Sequence, residues 1–300
     1  MTETRPPVPA SLDDVDGWFP KVDQRLFTWF LDRQERLGQH GDLVELGSYL
    51  GKSAILMGRH LRDGETFTVC DLFDSEAPDD SNQAEMDGSY ASLTRTAFEA
   101  NYRAFHDGLP RIVQAPTSVI LDHVRPESCR FVHVDASHLY EHVRGDIQAA
   151  HVMLPVEGVI VCDDYRSEHT PGVSAAVWEA VASEGLRPVC VTPQKLYGTW
   201  GEVKDVQDDL LAWLGDQDDL WHEVQQVAGR PLLRVKTKQA PKTPKKDRTR
   251  ELKERLARAE EQRARAQHEL DSVRNSLSFK VGRAATALPR AMRRRNGRPR

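Results

Sequence analysis

Apolar and polar residues along this chain follow two different rhythms. Between residues 18 and 37 the apolar positions are Trp18, Val22, Leu26, Phe27, Trp29, Phe30 and Leu37, a helical spacing that stops near Gly38 and Gly41. Short apolar runs then recur at DLVEL (42–46), FTVC (67–70), RIV (111–113), RFVHVD (130–135), GVIVC (158–162) and RPVCV (187–191). Helix-length segments, the first at 53–61, separate nearly all of them. Strands alternating with helices imply parallel pairing with both sheet faces covered. The pattern therefore predicts one α/β domain, doubly wound and mostly parallel, from about Leu43 to Val235. TPQKLYGTWGEV (192–203) and PLLRVKT (231–237) are expected to supply a closing antiparallel pair, with a helical insertion, DVQDDLLAWL, between them.

The rhythm changes after residue 237. QAPKTPKKDRTR reads as a Pro- and Lys-rich linker. Leu252, Leu256, Ala259, Arg263, Ala266, Leu270, Val273 and Leu277 then alternate spacings of four and three, a heptad seam weakened by two alanines and an arginine. A single solvated helix and a coiled-coil homo-oligomer both remain open. The expected organisation is a helical lead-in over 1–40, the α/β domain over 41–237, a linker over 238–250, the heptad helix over 251–278 and a basic tail over 279–300.

Charge sharpens this division. The 300 residues carry a formal net charge of −5, but Lys236 to Arg300 holds 21 Lys+Arg against 7 Asp+Glu, net +14, leaving Met1 to Val235 at −19. The tail is expected to be disordered or to touch anionic lipid or another polyanion. An acidic body repels phosphate from any site it holds, which argues against a nucleic-acid substrate. No apolar run approaches the roughly 20 residues of a membrane span, and the N-terminus lacks the basic-then-apolar order of a signal peptide. A cytoplasmic protein is expected. Cys70, Cys129, Cys162 and Cys190 are scattered, against a zinc site or a disulfide framework.

The candidate chemistry lies where strands end. ELGSYLGKSAI (45–55) contains Gly-Lys-Ser, but only three residues separate Gly47 from Gly51, and a phosphate-wrapping loop needs four. What remains is an acidic residue, Glu45, and two glycines at the first strand–loop–helix turn, where doubly wound sheets bind ligands. Gly47 permits a tight turn and Gly51 a close approach. Asp71 ends the second strand, where a carboxylate can take both hydroxyls of a ribose. Together they signal a ribose-bearing cofactor without saying which.

Further on, Asp135 ends the fourth strand with His138 and Tyr140 beyond it, and Asp163 and Asp164 end the fifth. Neighbouring parallel strands lie about 4.8 Å apart, so three carboxylates can converge on one sheet edge. Their mutual repulsion calls for a cation or a proton, and a hard divalent ion is the economical choice. Alternatively, Asp163 and Asp164 cap the loop or helix that follows.

ELGSYLGKS, Asp71, VDASHLYEHVRGD and GVIVCDDY with TPGVSAAVWEAV resemble class I S-adenosylmethionine-dependent methyltransferases, a Rossmann-like family. Within it they are similar to the metal-dependent O-methyltransferases of macrolide sugars and rhamnose. The resemblance covers roughly residues 17–203. It implies that S-adenosylmethionine is held by Glu45, Gly47, Ser48, Tyr49, Gly51, Ser53, Asp71 and Ser118. It implies that Asp135, Asp163 and Asp164 bind Mg²⁺ or Mn²⁺, and that His138, three residues after the first metal aspartate, is the general base. Ala136 stands where the family usually has glycine.

The expected reaction is methylation of a hydroxyl on a sugar, in a glycosylated natural product or a cell-surface polysaccharide. The metal would acidify and orient that hydroxyl beside Asp135, and His138 would take its proton. Tyr165 and His169 are candidates for the acceptor pocket. A catechol-type methyltransferase acting on an aromatic diol is one rival reading. A methyltransferase-like scaffold without activity is another.

Overall fold

The computed structural model describes residues 8–77, 81, 83, 93–227, 229–238 and 248–275. The chain divides into two compact units, Met1–Lys238 and Gln239–Arg300. In the first, helix α1 (Lys21–Arg36) leads into β1 (Asp42–Leu46), α2 (Lys52–Gly58), β2 (Phe67–Asp71), α3 (Arg95–Arg103), β3 (Arg111–Gln114), β4 (Cys129–Val134), α4 (Tyr140–Met153), β5 (Val159–Cys162) and α5 (Pro171–Ser183). Then come β6 (Arg187–Val191), β7 (Leu196–Thr199), α6 (Lys204–Gly215), β8 (Leu220–Val227) and β9 (Arg230–Thr237).

Among the described residues these strands form one sheet of order β3-β2-β1-β4-β5-β7-β6-β9-β8. β3, β2, β1, β4 and β5 run parallel, and β7 enters antiparallel between β5 and β6. Successive strand residues face opposite ways. Leu43, Phe67, Phe131 and Val161 join the core under α1, α2, α3 and α6, which includes Phe27 and Phe30. Val44, Cys70, Val132 and Ile160 join the core under α4 and α5, which includes Ile147 and Val177. Both faces are thus covered, and the four cysteines are buried and unpaired.

The closing region differs from the expected pairing. β7 and β9 do not pair with each other: β6 lies between them, and β9 pairs in parallel with β6 and antiparallel with β8. β8, LWHEVQQV, escapes the apolar pattern because it is an edge strand largely open to solvent, with little need for alternating apolar residues.

Register carries the fold into function. Leu46 pairs with Cys70 and Val134, and Val134 with Cys162. The residues that follow, Gly47, Asp71, Asp135 and Asp163, therefore stand in one row along the carboxyl edge. The β5–β7 ladder pairs Cys162 with Leu196, and one further antiparallel step sets Lys195 opposite Asp163.

The second unit contains helix α7 (Arg248–Asn275), whose described side chains, among them Leu256, Ala259, Arg263 and Ala266, are exposed. Most of the expected linker and all of the tail over 279–300 lie outside the described residues, as do Leu277 and the side chains of Leu252, Leu270 and Val273. Among the described residues no helix is long and apolar enough to cross a membrane.

Candidate active site

A cavity of about 960 Å³ opens at this carboxyl edge. Gly47, Ser48, Tyr49, Ser53, Asp71 and Ser118 line one part of it, and Asp135, His138, Asp163, Asp164 and His169 another. Glu45, Gly51 and Tyr165 are not among its lining residues.

Both glycines of the loop are required by the protein's own packing. A Cβ on Gly47, which has φ +77°, would lie 2.2 Å from the carbonyl oxygen of Asp135, so this glycine lets the β1 and β4 loops touch. A Cβ on Gly51, with φ +89°, would lie 2.9 Å from the Phe98 ring. The close approach expected there is to a core aromatic. Ala136 is not among the positive-φ residues, so the absence of glycine costs nothing in backbone geometry.

Asp71 braces the same loop. Its Oδ2 accepts from the Ser48 amide at 2.6 Å, the Tyr49 amide at 3.2 Å and the Ser48 hydroxyl at 3.2 Å, and its Oδ1 from the Phe73 amide at 2.7 Å. Burial pushes this carboxyl up, against the lowering effect of those backbone bonds. Two lone pairs per oxygen leave an acceptor position on Oδ1. Asp71 therefore shapes the loop first and has limited capacity left for a ligand. Tyr49 itself sits at φ +48°, a left-handed conformation uncommon for a bulky residue, with its ring 5.5 Å from the exposed Trp18.

Glu45 works from inside the sheet. It is the register partner of His133 and accepts from it, Nδ1 to Oε1 at 2.8 Å. The tautomer follows from the other side of the ring. His133 Nε2 lies 3.0 Å from Lys195 Nζ, and an ammonium can only donate, so Nε2 is the acceptor and Nδ1 carries the hydrogen. Burial pushes the Glu45 carboxyl up to about 8 and the His133 imidazole well down. The sign is testable. A carboxyl raised in the folded state adds stability at low pH that is lost as pH rises through about 8, whereas the opposing contribution of a depressed His133 is complete above its ordinary 6.5. Stability should therefore fall between pH 6.5 and 8, and urea unfolding of Glu45→Gln should show a flatter profile across that window. An unchanged slope would mean that Glu45 is ionised in the fold.

His133 and Lys195, fully buried and not among the cavity's lining residues, are partners of the carboxylate row that the sequence pattern did not mark. The only signal was a polar residue inside an apolar strand for the first, and a lysine opening one for the second. Lys195 is fully buried, with Nζ 2.6 Å from Asp163 Oδ2 and 3.8 Å from Asp135 Oδ2. It also lies over the rings of Phe19 at 5.7 Å and Phe27 at 5.9 Å. Burial favours the neutral amine, but Asp163, Asp135 and Asp23 outweigh it and hold Lys195 protonated. Asp23, on α1, accepts from the Tyr197 hydroxyl at 2.8 Å, which ties the lead-in helix to this network.

This arrangement does not fit the expected metal. Ligand atoms of His133, Asp135 and Asp163 lie within 4.8 Å of one another, and this grouping takes in His133 rather than Asp164. The Lys195 ammonium already stands among those atoms. Asp163 Oδ1 accepts the Asp164 amide at 2.8 Å, and Asp164 turns to the Ser167 hydroxyl and to His138 Nε2 at 3.5 Å. Burial pushes the Asp164 carboxyl up, but the bonds from His138 and Ser167 outweigh it and hold it below the ordinary range. Asp164 has φ +50°, so its backbone holds a disfavoured conformation beside that imidazole. Gly172 on α5 fixes the other side: a Cβ there would lie 2.6 Å from the carbonyl oxygen of His138.

A parallel sheet of reversed strand order, with one antiparallel strand beside β5 and a polar cleft at its carboxyl edge, is a doubly wound, Rossmann-like α/β architecture. The family model described as "Methyltransferase domain" matches residues 44–165. No curated protein sequence matches the chain significantly. Among solved structures it is similar to the O-methyltransferase NovP (20% identity, 60% of this chain and 81% of that one, TM-score 0.49). It is also similar to CalS11, a TDP-rhamnose 3'-O-methyltransferase of calicheamicin biosynthesis (16%, 61% and 82%, TM-score 0.42). A third likeness is to Rv0187 from MTB (14%, 64% and 86%, TM-score 0.44).

Proposed function

We propose that this chain is an S-adenosylmethionine-dependent O-methyltransferase whose acceptor is a sugar hydroxyl, in a glycosylated natural product or a polysaccharide. The observation that carries the reading is one cavity lined both by the glycine loop with Asp71 and by the His138–Asp164 pair. The match of residues 44–165 to a methyltransferase domain supports it.

The residues present fit the cofactor. Asp71 keeps an acceptor position for a ribose hydroxyl, Ser53 and Ser118 offer hydroxyls, and Leu72, Ala115 and Pro116 supply an apolar wall for a purine. When bound, S-adenosylmethionine supplies an electrophilic methyl group. The chain's own part is alignment and proton removal. His138, whose Nε2 lies 3.5 Å from the Asp164 carboxylate, is the base that takes the acceptor proton. Asp164 orients the ring and stabilises the imidazolium that forms. Nothing in this scheme requires Mg²⁺ or Mn²⁺.

Calorimetric titration of S-adenosylmethionine is the direct test. Wild type should bind at micromolar concentration, and Asp71→Ala, checked for native circular dichroism, should lose binding because its loop loses three hydrogen bonds and the ribose an acceptor. Absence of binding to wild type would overturn the reading. Turnover of a catechol but of no sugar diol would move the acceptor to aromatic diols.

A further inference from the structure

Cation binding at the carboxylate row can be taken one step beyond this reading, on which the inference rests. One step beyond the β5–β7 ladder, Lys195 comes opposite Asp163 at the carboxyl edge. Its three N–H groups meet Asp163 Oδ2 at 2.6 Å, His133 Nε2 at 3.0 Å and, at longer range, Asp135 Oδ2 at 3.8 Å. These residues are the same three whose ligand atoms cluster closely enough to ring a cation. Fixed Phe19 and Phe27 rings close the other side of the ammonium. The lysine also has little room to withdraw, since it is fully buried.

We propose that the Lys195 ammonium is the resident cation of this cleft, so that no divalent ion binds among Asp135, Asp163 and Asp164 and methyl transfer proceeds without one. Mg²⁺ demands a near-octahedral set of oxygens at about 2.0–2.1 Å. Asp163 already accepts from the lysine on Oδ2 and from the Asp164 amide on Oδ1, and Asp164 faces Ser167 and His138, so each carboxylate keeps only part of its acceptor capacity for a metal. A dication placed there would also lie close to the buried Lys195 ammonium, and like charges repel. A lysine supplied by the fold thus serves the role of charge balance that an exchangeable ion would otherwise serve. His133 completes the arrangement: its Nδ1–H is committed to Glu45, which leaves Nε2 as an acceptor for the ammonium.

The full-length chain is titrated with Mn²⁺, with free ion followed by electron paramagnetic resonance, and S-adenosylmethionine affinity is measured in Mg²⁺ and in EDTA. Wild type should bind no Mn²⁺ below millimolar concentration, and S-adenosylmethionine affinity should be the same within twofold in both buffers. Lys195→Ala should open the ring and gain one Mn²⁺ site, at least tenfold tighter than wild type and lost again when Asp163→Asn is added. One tight Mn²⁺ site in wild type that Asp163→Asn abolishes, or cofactor binding that needs Mg²⁺, would overturn the proposal. The wild-type titration decides even where Lys195→Ala does not fold. No S-adenosylmethionine binding in either buffer would instead remove the methyltransferase reading, a separate failure from that of the lysine.

Discussion

His138→Ala is expected to lower turnover by roughly 10²–10⁴-fold, the range for losing a positioned general base, while S-adenosylmethionine affinity stays within about twofold of wild type. The asymmetry follows from where the imidazole stands. It lines the cavity with Asp135 and Asp164 and has its Nε2 3.5 Å from the Asp164 carboxylate, whereas the glycine loop is braced by Asp71. Its backbone is held by the α5 helix, whose Gly172 admits no side chain against the His138 carbonyl, so truncation should leave the loop in place. Asp164→Asn should act in the same direction through the ring, lowering turnover without removing the base. The check is steady-state kinetics with whichever acceptor the sugar-diol screen returns, alongside cofactor titration. Turnover of His138→Ala within twofold of wild type would remove the base assignment.

Arg130→Met is expected to destabilise the first unit by about 3–5 kcal/mol, the cost of breaking a buried ion pair and stranding its partner. Arg130 is the second residue of β4, at the end away from the cavity, and is almost wholly buried. Its guanidinium donates to both Glu65 carboxylate oxygens, each at 2.9 Å, to Gln34 Oε1 at 3.0 Å and to the His60 carbonyl at 2.7 Å. It thus joins α1, the loop after α2 and β4. Arg62 also donates to Glu65, so a counter-charge survives the substitution and the loss should lie toward the lower figure. Glu65 gives a second readout. Burial pushes its carboxyl up, but the bonds from Arg130 and Arg62 prevail and hold it at about 2. A depressed carboxyl contributes stability above its ordinary 4.5 that is lost as pH falls toward 2. Urea unfolding should show this acid limb in wild type and a shallower one in Arg130→Met. A variant that unfolds at the wild-type urea midpoint would contradict the account.

Much of the architecture was legible from apolar rhythm. Strands such as β5 and β6 are buried on both faces, so their continuous apolar runs leave few alternatives, and the row of Gly47, Asp71, Asp135 and Asp163 follows once each strand is known to end there. β8 was not legible, because its edge position asks little of its side chains. Nor was the pairing of β7, since an antiparallel strand inserted between β5 and β6 is set by which strands remain open after the crossovers, and no local pattern records that.

The site divides along the same line. The sequence by itself determined which chemical groups stand at strand ends: glycines in the first loop, carboxylates after β2, β4 and β5, and an imidazole three residues beyond one of them. Only the tertiary structure decided what those groups face. Asp71 turns largely to its own loop, Gly51 to Phe98, Asp164 to His138, and Asp163 to a lysine 32 residues further along the chain. The reason is physical: a strand end constrains the position of a residue along one chain, whereas neutralising a buried charge depends on whatever a neighbouring strand delivers within about 4 Å, and that neighbour is chosen by register.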